Sequence, residues 1–513
     1  MQTSSAKVLK SAMKMAAGTM SSRVLGLIRD ILVASSFSLG MTDAWFVAYR
    51  IPNMFRRLFG EGALSYAFIP VLSELRENRG LDEAKELSFQ LFNILFLVLS
   101  GLSLSCIFFA EPIIHFFAGG ESFLNVPGKL ENTIRFLKIM AFFLLFICMF
   151  AYFMAVLNAN KKFFAAAFAP VLLNICLIVA CLLPVSLVSV HGDLLSYGAL
   201  LGGFLQMAIL IPAVKKIGFF PKFKFKVSKS LLRVLRNSIP AILSMGVLQL
   251  TTMVNVYYAS RLQEGANSWI YYADRLLELP LSLIAVSFGT ALLPSLSEAW
   301  VKKESGEFRS LFSSQILNVW FLAIPSAFGL FFFAEPIISL VFERGKFDST
   351  SVVETAGLLR VYAFSLIIFA STRLFNTSFY AIQKVWVPIL VSSIALISHL
   401  IMIRYWLENF GLQGLAMSSA SAGLIALVVV LGLFIKTHQI KLDLSVIVNI
   451  LGFILLSVMM IIIGRFVVFD SLSGNWNQNL VTLISILSCI VVYFGLAIVL
   501  RLDQMKNLKR RRL

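Results

Sequence analysis

The chain has 513 residues, of which 59% are hydrophobic and 14% charged, and its mean hydropathy is +0.87. Soluble domains are nearer a quarter charged, so the composition excludes a soluble globular protein and indicates one that crosses a membrane many times. The formal charge of +18 would by itself fit a nucleic-acid partner, but the basic residues are distributed over alternate loops, as in membrane proteins.

About fourteen segments are apolar over the ~20 residues that a helix needs to cross a hydrocarbon core of ~30 Å. The pattern predicts an all-α polytopic membrane protein, because a β-barrel would show short alternating strands instead. The first segment is too long and too charged for a removable signal peptide. The segments lie near residues 8–36, 43–71, 86–117, 132–157, 162–184, 195–214, 237–260, 268–295, 311–341, 352–380, 385–403, 413–435, 443–469 and 478–500.

Lysines and arginines are concentrated in every second loop, which predicts that these loops and both chain termini are cytoplasmic. We expect the basic loops to contact anionic lipid rather than nucleic acid. The five cysteines all lie in apolar segments and are interpreted as small core residues. The basic stretches are residues 72–85, 161–162, 215–236, 302–309, 384, 436–441 and the tail from 501.

Charged side chains within the first two segments are the first candidates for a functional site. A charge inside a spanning helix costs a few kcal/mol even on the gentlest insertion scale, so it survives mainly beside a protein interior or a wet cavity. At ~1.5 Å per residue, Arg23 and Arg56 lie near mid-depth, whereas Arg29 lies only ~10 Å from the outer end of its helix. The charges are Arg23, Arg29, Asp30, Asp43, Arg50, Arg56 and Arg57.

Helical spacing places several of these groups on common faces. Tyr49, Asn53 and Arg56 share one face of the second segment. Asp30 lies seven residues after Arg23 on the same stripe, which suits a carboxylate that holds a neighbouring arginine rather than a ligand.

The sequence is duplicated at an offset of about 224 residues, with six segments in each copy. Because six is even, both copies enter the membrane in the same orientation, which predicts two parallel six-helix repeats. We expect a central cavity between them, and the last two segments form two extra C-terminal helices outside the repeat. The matches are PVLSE at Pro70 with PSLSE at Pro294, AEPII at Ala110 and Ala334, Trp45 with Trp269, and, at a slightly shorter offset, Lys162 with Lys384.

The eighth segment contains YYADRLLELP, in which Arg275 shares a face with Glu278, and Asp274 lies four residues before Glu278. Arginine binds phosphate bidentately and stays charged at any working pH. Arginines from both repeats that converge on one cavity would therefore suit a pyrophosphate and would repel a cationic drug. The competing interpretation is a set of intrahelical ion pairs that only tie helices together.

Three motifs resemble those of the MurJ (MviN) family of lipid II flippases, in the multidrug/oligosaccharidyl-lipid/polysaccharide exporter superfamily. They are SRVLGLIRD from Ser22, TDAWFVAYRIPNMFRRLFGEGALSYAFIPVLSE from Thr42, and YYADRLLELP from Tyr271. The resemblance covers nearly the whole chain and implies two lobes around a cationic cavity. It also implies that the chain moves lipid II from the inner to the outer leaflet by alternating access, for peptidoglycan synthesis. Lipid II is a disaccharide-pentapeptide joined by pyrophosphate to an undecaprenyl chain.

Residue by residue, the resemblance implies substrate-binding arginines and supporting acids in this chain. The implied substrate-binding residues are Arg23, Arg29, Arg56 and Arg275. The implied supporting charges are Asp30, Asp43, Glu61, Asp274 and Glu278. The implied organisation is a first lobe at 1–218, a basic cytoplasmic linker at 219–236, a second lobe at 237–440, a lipid-tail groove at 441–501 and a basic cytoplasmic tail at 502–513.

The resemblance further implies a multi-pass protein of the bacterial cytoplasmic membrane whose partners are lipid II, membrane lipids and cell-wall synthesis machinery.

Some relatives have an acid in the seventh helix, but Ser238–Ser260 contains no carboxylate. No ion site is therefore assigned, and coupling to the membrane potential or to a monovalent ion stays open. His399 is interpreted as a hydrogen-bonded core residue. No cofactor, metal or catalytic residue is expected.

Two other functions stay open at this point. One is export of another polyprenyl-linked saccharide or of a drug by the same fold. The other is a membrane enzyme such as a lipid-linked glycosyltransferase, for which His191-Gly-Asp193 is the nearest polar loop motif. An ATP-driven pump is disfavoured, because the chain contains neither a Walker-type glycine loop nor a loop long enough for a nucleotide-binding domain.

Overall fold

The computed structural model describes residues 20–160, 162, 164–222, 227–438, 444–474, 476–500, 502 and 504. Within these ranges the side chains of residues 61–63, 65, 66, 122, 286, 290, 291, 438, 444 and 445 are not described. All regular elements among the described residues are helices, and none is a strand. The predicted all-α fold class is therefore confirmed.

The chain forms two compact units. The first runs to Ser268 and also includes Arg344–Lys346, and the second comprises Trp269–Glu343 and the chain from Phe347. The helices that begin in the first unit are α1 (20–36), α2 (Leu39–Arg56), α3 (Ile69–Asn78), α4 (Leu81–Phe108), α5 (Ala110–Ala118), α6 (Glu121–Leu124), α7 (Lys129–Ile139), α8 (Ala141–Ala159), α9 (Phe164–Leu182), α10 (Gly192–Ala208), α11 (Ile211–Lys216), α12 (Lys229–Ala259) and α13 (Ala266–Leu281).

Helix α8 is the centre of the first unit. It contains no charged residue, and nearly all of its side chains are buried. Tyr152 on α8 is fully buried and donates its hydroxyl proton to the carbonyl of Ser88 on α4 at 2.8 Å. A Cβ at Gly203 on α10 would lie 2.5 Å from the ring of Phe143, so α8 and α10 approach each other too closely for any larger residue. Helix α8 thus packs closely against both α4 and α10.

Between α2 and α3 the backbone continues as a π-helix over Arg57–Phe68, and a second π segment, Ser282–Val286, follows α13. A third π segment, Ile462–Phe469, follows α19. A short 3₁₀ turn covers Val185–Leu187. The remaining helices are α14 (Ser287–Val301), α15 (Ser305–Phe332), α16 (Ala334–Phe342), α17 (Ser349–Ala381), α18 (Trp386–His438), α19 (Leu444–Ile461), α20 (Asp470–Leu472) and α21 (Gln478–Val499).

The core of the second unit is a contact of three aromatic rings from α15, α17 and α18. The centroid of Phe312 lies 5.1 Å from that of Phe375 and 4.4 Å from that of Phe434. Helices α19 and α21 pack on the other side of α15, where Tyr493 donates a hydrogen bond to the carbonyl of Phe321 at 2.7 Å. The two C-terminal helices are thus attached to the second unit through α15 and α16.

Helix α18 is really two helices joined at Gly411. The backbone there has φ 53° and ψ −131°, a conformation that only glycine adopts readily. Three residues later, a Cβ at Gly414 would lie 2.1 Å from the carbonyl oxygen of Trp406. Two glycines therefore permit a reversal with almost no loop. Within the described residues, eleven helical spans are long and apolar enough to cross a membrane. Some of these spans join consecutive elements, and α18 is counted once. The number fourteen stays a prediction.

Candidate functional site

The arginines of the first helix lie in different surroundings. Arg23 is half-buried, whereas Arg29 is only 8% exposed and Asp30 1% exposed. Arg29 donates to Oδ1 of Asp30 from Nε at 2.9 Å and from Nη2 at 2.6 Å. Hydrogen bonds between a guanidinium and a carboxylate are among the stronger ones in proteins. Asp30 therefore holds an arginine, as the sequence suggested, and this arginine is its immediate neighbour.

Arg29 also connects α1 to α9. Its Nη1 atom donates to the side-chain oxygen of Asn174 at 3.0 Å, and Nδ2 of Asn174 donates to the carbonyl of Ser22 at 2.9 Å. The amide of Asn174 thus accepts from one turn of α1 and donates to another. This arrangement fixes α1 against α9 and places Arg29 in a structural network, since most of its guanidinium is already engaged.

The second helix presents Tyr49, Asn53 and Arg56 on one face, as the spacing predicted. Nε of Arg56 donates to the side-chain oxygen of Asn53 at 3.3 Å, and the amide of Asn53 donates to the carbonyl of Tyr49 at 3.1 Å. The ring of Tyr49 stacks on Trp45 at 4.5 Å, which holds the face in place. Arg56 is half-buried and Arg57 is exposed.

The carboxylate of Asp43 accepts four hydrogen bonds from other residues of the first unit. Its Oδ1 atom accepts from the backbone N–H of Ser268 at 2.8 Å and from its hydroxyl at 2.7 Å. Its Oδ2 atom accepts from the backbone N–H of Gly265 at 2.8 Å and from Nζ of Lys129 at 3.0 Å. Both charged side chains are almost fully buried, with 2% of Asp43 and 3% of Lys129 exposed.

The Asp43 carboxylate lies at the N-terminus of α13, where backbone N–H groups lack partners within the helix. A carboxylate at this end is stabilised both by these donors and by the helix dipole. Lys129 supplies the cation that a buried carboxylate needs. Asp43 is thus a cap for the helix that carries Arg275, seven residues after Ser268.

In the second unit, Arg275 is half-buried, with 23% of its side chain exposed, and its Nη1 atom donates to Oε2 of Glu278 at 3.3 Å. Glu278 and Asp274 are exposed. Arg275 and Glu278 thus form an ion pair within the helix, as their i, i+3 spacing allows. Asp274 also has an interaction partner.

Arg23, Arg29, Asp30, Asp43 and Arg56 belong to the first unit, and Arg275, Asp274 and Glu278 belong to the second. The side chain of Glu61 lies outside the described residues. Convergence of the arginines of both units on one cavity therefore stays a prediction.

Lys129 and Asn174 were missed by reasoning from the sequence. In the sequence, Lys129 lies between two apolar segments and Asn174 lies within one. A polar residue in or beside an apolar segment is the only signal for either. It does not identify the partner, which is 86 residues away for Lys129 and 145 residues away for Asn174.

Three smaller interpretations can be compared with the structure. Nδ1 of the fully buried His399 lies 2.9 Å from the hydroxyl of Ser418, so the core interpretation is confirmed. Four of the five cysteines are buried and the fifth, Cys176, is half-buried, and all are free thiols. Among the described residues, no three or more His, Cys, Asp or Glu side chains are grouped in a way that could hold a metal ion.

Comparison with known proteins gives consistent results. A family model described as "Lipid II flippase MurJ" matches residues 33–487. The chain is 39% identical to a "Probable lipid II flippase MurJ" of Bdellovibrio bacteriovorus, over 98% of this chain and 97% of the relative. It is 36% identical to the "Lipid II flippase MurJ" of Burkholderia cenocepacia, over 81% of each chain.

Solved structures show the same fold. A structure named "Lipid II flippase MurJ, inward closed conformation" superposes with a TM-score of 0.81 at 27% identity, over 96% of this chain and 99% of that one. An inward-facing multidrug transporter of the MATE family, in the MOP superfamily, superposes with a TM-score of 0.70 at 13% identity, over 83% of this chain and 98% of that one. The second likeness concerns the fold alone.

Proposed function

Because this chain belongs to the lipid II flippase family MurJ, we propose that it carries lipid II across the bacterial inner membrane for peptidoglycan synthesis. Its substrate combines a long polyprenyl chain, a pyrophosphate and a disaccharide-pentapeptide. The polar part must pass through protein, since hydrocarbon offers it no hydrogen bonds. The polyprenyl chain is stable in the lipid and need not leave it.

The observation that carries the proposal is the exposure of three arginines. Arg23, Arg56 and Arg275 lie in helices of a membrane protein and are all half-buried, so part of each residue is accessible. Arginine is the side chain best suited to a pyrophosphate, because its planar fork matches two phosphate oxygens. We assign these three to the pyrophosphate and assign Arg29, which is buried against Asp30 and Asn174, to positioning α1.

Alternating access is the mechanism that fits two compact units. In this mechanism each unit moves as a rigid body and the arginines face one side of the membrane at a time. The lipid tail would follow along α19 and α21, which expose large apolar side chains such as Leu455 and Val491. Energy would come from the membrane potential acting on the cavity charge, or from a monovalent ion.

The proposed reaction is transport alone, with no bond made or broken. Incubation of the purified protein with lipid II should leave the mass of the lipid unchanged. A converted product would support the enzyme alternative instead. Membrane lipids and cell-wall synthesis machinery are the proposed partners in the cell.

The deciding experiment measures on which side of the membrane lipid II lies after this protein is depleted. Intact cells are treated with an external enzyme that cleaves lipid II. Accumulated lipid II that is protected from cleavage supports flipping by this chain. Lipid II that is still cleaved would mean that another protein flips it. Cells that express Arg23→Ala or Arg275→Ala in place of the wild type should show the same protection, with normal amounts of protein in the membrane.

A further inference from the structure

A cavity lies within the second unit, at the ends of four helices. It has a volume of about 740 Å³, within the range of cavities that hold small molecules. Helices α14 and α17 end there, α15 begins there, and Thr437 near the end of α18 completes the wall. Its polar lining includes two basic side chains, Lys303 and Arg309. We call it the helix-end cavity.

Two residues of this lining have an unusual backbone. Lys303 has φ 60° and Gln383 has φ 59°, and these are the only non-glycine residues with positive φ in the part of the chain that the structure describes. The left-handed conformation is unfavourable for residues with a Cβ. Both residues line the same cavity although they lie 80 positions apart in the sequence.

Each residue occupies the same position of a helix-ending motif. The N–H of Lys303 bonds to the carbonyl of Trp300, and that of Glu304 bonds to Ala299. The N–H of Gln383 bonds to Tyr380, and that of Lys384 bonds to Phe379. This is the Schellman motif, in which glycine is the usual left-handed residue.

The first unit shows the ordinary form of this motif. At the end of α11, Gly218 has φ 76°, its N–H bonds to Lys215, and that of Phe219 bonds to Val214. The chain thus uses glycine where the motif only ends a helix. It uses lysine and glutamine where the same residue also lines a cavity. A strained residue in place of the easier glycine points to a use for its side chain.

The two basic side chains of the lining are available to an anion. Lys302, the neighbour of Lys303, pairs with Glu298 at 2.8 Å. Within the described residues, neither Lys303 nor Arg309 makes an ion pair or a side-chain hydrogen bond. The aromatic side of the cavity contains Trp300, whose side chain is 42% exposed, and Tyr380.

We propose that the helix-end cavity binds the phosphate group of an anionic ligand, with Lys303 and Arg309 as the cations and Gln383 as a neutral hydrogen-bonding group. Two sources share this chemistry, a phospholipid headgroup and a free phosphate. An exposed tryptophan beside basic residues is typical of the membrane–water interface, so the headgroup is favoured. This site is separate from the flippase arginines, and its failure would leave the proposed transport function intact.

The test uses the full chain in nanodiscs of phosphatidylcholine with a minority of phosphatidylglycerol. The phosphatidylglycerol retained per protein is measured by native mass spectrometry. Arg309→Gln and Lys303→Gly should each lower the affinity about tenfold, the equivalent of one good ionic contact. Lys303→Gly and Gln383→Gly should also raise the melting temperature, because each removes backbone strain.

Lys302→Gln is the matched control, since Lys302 is adjacent, equally charged and already paired, and it should retain the lipid. Unchanged retention in both Arg309→Gln and Lys303→Gly would overturn the proposal, as would an equal loss in Lys302→Gln. In a second arm, inorganic phosphate is added to protein in phosphatidylcholine alone. One outcome is that inorganic phosphate binds in a way that depends on Lys303 and Arg309 while phosphatidylglycerol is not retained. This result would support the site and identify its ligand as a soluble phosphate rather than a lipid headgroup.

Discussion

At the scale of single residues, two charged groups of the first unit have structural roles that their residue types do not reveal. Asp43 and Lys129 form an almost fully buried ion pair at the start of α13. Removal of one partner from such a pair leaves the other buried and unbalanced, which typically costs about 3–5 kcal/mol. The consequences of substitution at these positions are therefore predictable in sign and size.

Lys129→Met should lower the stability of the protein by about 3 kcal/mol or more, because the buried carboxylate of Asp43 would lose its cation. The measurement is the melting temperature of the purified protein in detergent. The double variant Asp43→Asn, Lys129→Met should recover part of the loss, because it removes both charges. Lys138→Met, on the exposed face of the same helix, is the control. A Lys129→Met protein as stable as this control would contradict the role given to the pair.

Arg29→Ala should reduce the amount of folded protein, because it leaves Asp30 buried without its guanidinium and breaks the link to Asn174. Asn174→Leu should have a smaller effect in the same direction. Arg23→Ala, in contrast, should leave the amount of folded protein unchanged but should fail to restore the growth of cells depleted of the wild-type protein. Quantitative blotting of membranes beside the rescue assay separates the two outcomes. Normal levels of inactive Arg29→Ala protein would move Arg29 into the substrate site.

At the scale of helices, α17 begins with a strong cap. The carboxylate of Asp348 accepts from the backbone N–H of Ser351 at 2.9 Å and from its hydroxyl at 2.7 Å. These two bonds hold the pKa of Asp348 below its usual value. A carboxyl group whose pKa is lowered by folding stabilises the native state above its unfolded pKa, and this contribution is lost as the pH falls through the folded pKa.

Asp348→Ala should therefore lower stability by about 1 kcal/mol at neutral pH. Because Ala has no acid to protonate, the difference between this variant and the wild type should shrink on acidification below about pH 4. Asp348→Asn, which keeps the cap acceptor without the charge, should be nearly as stable as the wild type. Melting temperatures of the three proteins from pH 7 to pH 3 test this. A difference that stays constant over that range would count against the pKa argument.

The two π segments at the ends of α2 and α13 occupy matched places in the repeat. A shift of Arg57–Phe68 by 224 residues leads to positions 281–292, which contain the whole of Ser282–Val286. A π segment is wider than an α-helix and is frequently found at functional sites. Its presence at the same place in both copies indicates that the duplication preserved it.

These π segments should open more readily than the α-helices around them, since their hydrogen bonds run over five residues with poorer geometry. Hydrogen–deuterium exchange of the protein in nanodiscs should show faster exchange in residues 57–68 and 282–286 than in α8 or α15. Exchange as slow as that of α8 in both segments would mean that they are rigid parts of the scaffold.

At the scale of the whole molecule, the proposed orientation can be tested with few changes. Four native cysteines are buried, so the background of thiol labelling should be low. The predicted topology, with both termini in the cytoplasm, puts the exposed Ser186 outside the cell and the exposed Glu77 inside it. Intact cells with Ser186→Cys should react with a membrane-impermeant maleimide, and those with Glu77→Cys should react only after lysis. The reverse pattern would invert the predicted topology.

The sequence predicts the helices well because each apolar segment of about twenty residues has one stable structure in lipid. It also predicts contacts within a helix, such as Arg56 with Asn53 and Arg275 with Glu278. It does not predict Asp43 with Lys129 or Arg29 with Asn174, because those partners are on different helices and no local periodicity relates them. The π segments were also missed, since their sequences read as ordinary apolar helix.

The positions of Asp43 and Lys129 have equivalents in the second copy of the repeat, but these are occupied by uncharged residues. The offset of 224 places Asn267 opposite Asp43, and both residues are 1% exposed. The two offsets of the repeat, 224 and 222, place Val353 and Ser351 opposite Lys129. The second copy therefore has neither the acid nor the cation.

This difference constrains how the gene diverged after it was duplicated. An intermediate with only one of the two charges would carry a buried, unbalanced ion, so neither charge could be gained or lost alone without a large penalty. Acid and base must have changed nearly together or through a compensating neighbour. Ancestral half-length sequences reconstructed with both charges, or with neither, should fold, and those with one alone should accumulate poorly.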